Sequence, residues 1–117
     1  MTDFHIGDQV YRQSFSRLGN FIGEKAAFCQ SLELGDTLER TSTFPIAFST
    51  ALYGLVDLGR MSMGDSVHIQ SATGAVGLAA CQIAQMVGAE VFATIGTEEK
   101  KEALLNTGYG IEEDHIF

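Results

Sequence analysis

The chain has 117 residues, and seven Lys and Arg against fifteen Asp and Glu give a formal charge of −8, so it is one domain or part of one. A hydrophobic share of 45% fits a globular chain, and an acidic balance with no Lys/Arg cluster larger than a pair argues against nucleic acid and anionic membrane as partners. No apolar run reaches the roughly 18 residues of a spanning helix, and the start MTDFHIGDQV lacks the basic and apolar stretches of a signal peptide, so the expected location is cytoplasmic.

Phe4 to Tyr11 alternates apolar and polar residues around Gly7 and Asp8, which predicts a turn and then a short strand. Residues 13–23, rich in Ser, Gly and Asn, read as a loop, and Glu24 to Leu34 as irregular or short strand. This opening part has the look of the end of a larger unit. From Thr43 the pattern sharpens. Thr43 is placed to cap a helix that tolerates Pro45 in its first turn, with Ile46, Phe48, Ala51, Leu52, Leu55, Val56 and Leu58 at helical spacing up to Gly59. Gly64 and Asp65 signal a turn, and Ser66 to Gln70 a strand. Gly74 to Val87 reads as an Ala-rich helix closed by Gly88. Val91 to Ile95 is a second strand, and Thr97 caps a helix running to Gly108, with Glu98 and Glu99 at its positive end. His115 to Phe117 start a third strand.

Helix, strand, helix, strand, helix and strand start predict a parallel sheet with crossover helices. A doubly wound dinucleotide sheet has about six strands, so the expected chain is truncated at both ends. The expected fold class is α/β, the first half of a doubly wound parallel Rossmann sheet.

The segment Ser71-Ala72-Thr73-Gly74-Ala75-Val76-Gly77 follows a predicted strand and opens a predicted helix, the context a dinucleotide fingerprint requires. Its spacing is A-x-G-x-x-G, with Ala72 where the first glycine usually stands. Gly74 allows close backbone approach to a pyrophosphate, Gly77 allows tight packing of helix on strand, and the free N–H groups of the helix start form an anion site. The bland alternative is a strand–helix turn with no ligand. An NAD site usually has an acid about 20 residues further on, at the end of the second strand. Here that place holds Ile95, Gly96 and Thr97, with Lys100 and Lys101 one turn later, which favours a 2′-phosphate and so NADP(H). The alternative for the lysines is a solvated helix face paired with Glu98, Glu99 and Glu102.

With these residues in view, the chain resembles the zinc-free, quinone-oxidoreductase-like medium-chain dehydrogenase/reductases. It is most similar to the enoyl reductase domains of iterative, highly reducing polyketide synthases and animal-type fatty acid synthases. The resemblance runs over FHIGDQVY, SFSRLGNFIGEKAAF, the stretch from TFPIAFSTALYGLVDLG to ATIGTEEKKEALL, and YGIEEDHIF. Thr50-Ala51-Leu52-Tyr53 departs from the family's Thr-Ala-aromatic-aromatic pattern by one Leu. Thr73-Gly74-Ala75-Val76-Gly77 stands where the family usually has Ala-Gly-Gly-Val-Gly.

The resemblance implies NADPH-dependent reduction of a trans-2-enoyl thioester on an acyl carrier protein, in polyketide or fatty acid synthesis. Hydride would pass from nicotinamide C4 to the β-carbon, with a proton to the α-carbon. It also implies neighbouring synthase domains and a dimer. Residues 1–42 would be the end of a GroES-like catalytic barrel and residues 43–117 the first half of an NADP-binding Rossmann domain. Thr50 would meet the nicotinamide, Thr73 and the Gly74 to Gly77 backbone the pyrophosphate, and Gly96, Thr97 and Lys100 the 2′-phosphate end. The expected proton donors fall downstream, so no catalytic residue is assigned. The rival readings are a free-standing quinone oxidoreductase-like enzyme and a catalytically silent remnant.

The remaining candidates read as structural. His5, His68 and His115 share no metal-ligand spacing with one another or with Cys29 and Cys81, so no metal is expected. His68, inside a strand between apolar neighbours, is expected to be buried, and both cysteines to act as small buried hydrophobes. Tyr53 is expected to pack its helix, Asp57 and Arg60 to pair on the surface, and Glu112 to Asp114 to be a solvated loop.

Overall fold

Gly7, at φ +103°, turns the chain after His5, whose N–H donates to Asp8 Oδ2 at 2.7 Å. The strand that follows is β1 (Val10–Arg12), paired antiparallel with β2 (Cys29–Ser31) so that Val10 lies opposite Ser31. The computed structural model describes residues 4–14 and 19–117, so positions 15–18 of the expected 13–23 loop lie outside the described residues. The chain divides into two compact units, Met1–Ile46 and Ala47–Phe117.

In the first unit Glu24 gathers donors. Ser14 Oγ donates to its Oε2 at 2.7 Å and Arg12 Nη1 at 3.0 Å. The Ser14 hydrogen bond first, then the Lys25 N–H and the Arg12 and Lys25 charges, hold this exposed carboxyl below its ordinary range. Helix α1 (Leu38–Thr41) is capped by Thr37, whose Oγ1 accepts from the Arg40 N–H at 3.2 Å. That corrects the expected cap at Thr43: its hydroxyl instead donates to the Arg40 carbonyl at 2.7 Å, closing α1 rather than opening the next helix.

Helix α2 (Phe44–Leu52) carries Pro45 in its first turn, where a missing N–H costs nothing. At Tyr53 the winding loosens into a π turn, Tyr53–Leu58, in which Gly59 N–H donates five residues back to Gly54 O at 3.0 Å. Arg60, at φ +50°, then ends the element. Gly64, at φ +88°, makes the next turn, and Asp65 Oδ2 accepts from Ser62 N–H at 2.8 Å and Ser62 Oγ at 3.0 Å. Those two bonds hold the exposed Asp65 carboxyl below its ordinary range.

The second unit is built on β3 (Ser66–Gln70) and β4 (Glu90–Thr94), parallel and in register from Ser66 opposite Glu90 to Gln70 opposite Thr94. The crossover between them is α3 (Ala75–Val87), ended by Gly88 in the left-handed conformation at φ +85°. Its inner face is small: Ala79, Ala80, Cys81, Ile83 and Ala84 are buried with Ile69, Val91 and Ala93 of the sheet. Small side chains let the helix backbone come down onto the strands, and burial pushes the Cys81 thiol up to about 11. Helix α4 (Glu98–Leu105) adds Leu104 to the same core. A turn at Glu113–His115 then delivers Ile116 to a parallel bridge with Ala93, reinforced by Phe117 N–H to Ala93 O at 2.9 Å and Ile95 N–H to Phe117 O at 2.8 Å. The fold is therefore α/β, with parallel strands joined through helices and a third strand beginning on the free side of β4.

Several placements differ from expectation. Strand β4 starts one residue early, at Glu90, because Glu90 N–H bonds Asp65 O at 2.8 Å. His68 is exposed, since alternation turns Val67 and Ile69 toward the core and His68 to the other face, where its Nε2 meets Thr94 Oγ1. Tyr53 is 58% exposed rather than packed. Cys29 is half-buried, unlike Cys81. Among the described residues Asp57 and Arg60 form no ion pair, and no helix is long and apolar enough to cross a membrane.

Candidate nucleotide-binding site

Parallel pairing puts the C-terminal ends of β3 and β4 side by side, and the loop that leaves β3 is tied to the end of β4 by a hydrogen bond from Ala72 N–H to Thr94 O at 3.2 Å. The first loop begins at Ser71, a non-glycine residue at φ +52°, a conformation that costs an L-residue roughly 1–2 kcal/mol. It reverses the chain sharply, and Gly74 N–H closes the turn onto Ser71 O at 2.8 Å. No signal in the sequence marked Ser71, because serine is not a residue that left-handed geometry selects.

Gly77 sits in the first turn of α3 against the start of this loop. A β-carbon built on it would stand 2.7 Å from Ala72 Cα and closer still to the Ser71 carbonyl oxygen. Both neighbours are backbone, so nothing flexible could give way. Ala72 is fully buried and its φ is not positive, so a methyl is accommodated where the fingerprint usually has its first glycine.

The N-cap of α3 is Gly74, which offers no side-chain acceptor. The first helical N–H groups, of Ala75, Val76 and Gly77, have no carbonyl partner within the helix, and among the described residues no side chain caps them. Three amides without a helical partner and the positive end of a 13-residue helix thus lie together beside exposed Gly74, Ala75 and Val76, with Gly77 buried against the loop. A pyrophosphate fits such a cradle. Thr73 is half-buried in the loop.

The second loop is Ile95, Gly96 and Thr97. Thr97 caps α4, accepting from the Lys100 N–H at 3.4 Å, and Lys100 is exposed in the first turn. No acid stands between the end of β4 and this cap. Lys101 does not follow the alternative of pairing with Glu98, Glu99 or Glu102: its Nζ lies 3.5 Å from Glu113 Oε1. The structure therefore brings Thr73 to Gly77 and Gly96 to Lys100 to one end of the sheet. Thr50 stands on a different element, exposed on α2.

Away from this end, His115 stacks on Phe92 with ring centroids 4.2 Å apart, and its Nε2 is 3.8 Å from Glu90 Oε1. Glu112, Asp114 and His115 bring ligand atoms within 4.8 Å of one another. Neighbours in a single surface turn meet in this way without a metal.

No protein-family model matches the chain. It is 52% identical over 114 residues to the highly reducing polyketide synthase apmlA of Arthrinium phaeospermum, covering 97% of this chain and 5% of that protein. To the reducing polyketide synthase BOA9 of Botryotinia fuckeliana it is 46% identical over 99 residues, 85% of this chain and 4% of that protein. Its homologues are highly reducing polyketide synthases. The chain spans about one twentieth of the length of these curated relatives. Among solved structures, the CurK enoyl reductase matches with a TM-score of 0.87 and 35% identity, over 99% of this chain and 34% of that one. The nucleotide-binding subdomain of the PpsC enoylreductase domain from Mycobacterium tuberculosis matches at 0.55 and 45% identity, over 59% and 37%. The quinone oxidoreductase of Thermus thermophilus, described with its NADPH complex, matches at 0.63 and 33%, over 70% and 28%. The structural neighbours are thus enoyl reductase domains and quinone-oxidoreductase-like proteins.

Proposed function

We propose that this chain is the part of an enoyl reductase domain that holds the adenosine and pyrophosphate half of NADPH, within a highly reducing polyketide synthase. The observation that carries the reading is the uncapped N-terminus of α3, set beside the ends of two parallel strands and locked there by the Gly77 and Ala72 contact. The amides of Ala75, Val76 and Gly77 bind the pyrophosphate oxygens, with Thr73 beside them. Gly96 leaves room for the adenosine ribose, and Thr97 and Lys100 hold the 2′-phosphate. The missing acid at the end of β4 favours NADP(H), since a carboxylate there would repel that phosphate. The Thermus thermophilus enzyme, described in complex with NADPH, supports the same cofactor class.

In the whole protein the substrate is a trans-2-enoyl thioester on an acyl carrier protein, in a dimeric synthase with neighbouring catalytic domains. Bound NADPH supplies a hydride to the β-carbon of that substrate. This chain contributes orientation: the loop and α3 fix the pyrophosphate, and Thr50 on α2 meets the nicotinamide end. Residues 1–42 belong to the end of a GroES-like barrel and residues 43–117 to the nucleotide-binding half.

The test is reduction of an enoyl thioester by the whole polypeptide that carries these residues, with NADPH and NADH compared. Turnover with NADPH, and a KM for NADPH raised about ten-fold by Lys100→Ala with the KM for NADH nearly unchanged, support the reading. Reduction of quinones with no reduction of enoyl thioesters would point to the free-standing oxidoreductase instead.

A further inference from the structure

We propose that Glu98 and Glu99 weaken the site's grip on a 2′-phosphate, so that the chain separates NADPH from NADH less sharply than Lys100 alone would achieve. The inference rests on the nucleotide reading above and concerns the charge around the same phosphate.

Thr97 caps α4, so Glu98, Glu99 and Lys100 are its first three helical residues, and all three are exposed. Successive helical residues are about 100° apart with Cα atoms about 3.8 Å apart. The three side chains therefore surround one helix start. Two carboxylates against one ammonium leave that start with a net charge of −1.

Lys101 does not redress the balance. Its side chain is only 21% exposed and its Nζ is drawn to Glu113 Oε1 at 3.5 Å, away from the first turn. Among the described residues neither Glu98 nor Glu99 has an ion-pair partner. The two acids suit the positive end of the α4 dipole, which stabilises the helix. That gain uses the same positive field a bound phosphate would feel. If a carboxylate comes within about 7 Å of a phosphate of about two negative charges, in a water-like dielectric with physiological salt, the repulsion lowers affinity about two- to eight-fold.

The experiment is calorimetric titration of the full chain with 2′,5′-ADP, which carries the 2′-phosphate, and 5′-AMP, which lacks it. The wild type, Glu98→Gln, Glu99→Gln, the double variant and Lys100→Ala are compared. Glutamine keeps the shape and helix propensity and removes the charge. The double variant should bind 2′,5′-ADP about ten-fold more tightly, with 5′-AMP changed less than about two-fold, and the gain should shrink in high salt. Unchanged 2′,5′-ADP binding, or an equal gain for both probes, overturns the proposal while Lys100→Ala still discriminates between them. If Lys100→Ala affects both probes equally, or the wild type binds neither, the underlying nucleotide reading fails and takes this inference with it.

Discussion

Gly77 lies so close to Ala72 that a β-carbon on it would stand 2.7 Å from the Ala72 Cα, inside any ordinary contact distance. The pair sets how near α3 approaches the end of β3, and so where the helix amides point. Gly77→Ala should force the helix outward and cost about 1–3 kcal/mol of stability, in line with overpacking elsewhere. At Gly74 a β-carbon would sit 3.2 Å from the Ser71 carbonyl oxygen, a conflict that a shift of a few tenths of an ångström relieves. Urea unfolding of both variants checks the order: Gly77→Ala must be the more damaging.

Lys100 is exposed beside the Thr97 cap, with no acid between that cap and the end of β4. Lys100→Ala should weaken NADPH about ten-fold or more, the size of a lost charged hydrogen bond, and leave NADH within about two-fold. Fluorescence titration with each cofactor measures this. Equal losses would remove the 2′-phosphate assignment.

Thr97 holds the start of α4 through its Oγ1, which accepts from the Lys100 N–H at 3.4 Å. Thr97→Ala should cost about 1 kcal/mol, whereas Thr97→Ser keeps the acceptor and nearly all the stability. Thermal unfolding of the two variants decides it. A serine as harmful as alanine would show that the methyl group, and not the cap, matters.

Cys81 is fully buried, and desolvation raises its thiol to about 11 from 9.0. A raised folded value means that the unfolded chain loses its proton first. Stability from this group is therefore complete below pH 9 and disappears as pH rises through about 11. Between those limits the wild type should lose stability more steeply than Cys81→Ala, as read from unfolding midpoints. Parallel slopes would contradict a buried protonated thiol.

The second unit was the more legible in the sequence, for identifiable reasons. Glycines at both ends of α3 and alanines along one face mark that helix, and Thr97 followed by two acids marks the start of α4. Where the reading missed, a neighbouring residue competed. Thr37 captured the Arg40 amide, which left Thr43 to close α1 rather than cap α2. The π turn from Tyr53 left no trace, because Leu55 and Val56 keep helical spacing in either winding. His68 was misplaced by weighing its apolar neighbours over strand alternation, which sends it to the opposite face. At the candidate site the glycine loop and Lys100 were plain. The diversion of Lys101 to Glu113 was not, since the two lie on separate elements with a turn between them.

The most direct measurement is a nitrogen–proton correlation spectrum of the chain titrated with NADPH, which reports each backbone amide separately. The account predicts saturable shifts concentrated at Gly74 to Gly77 and Gly96 to Lys100, the two loops at one end of the parallel pair. Shifts confined to other residues, such as the groove lined by Gly7, Asp8 and Leu34, or no shifts at all, would contradict it.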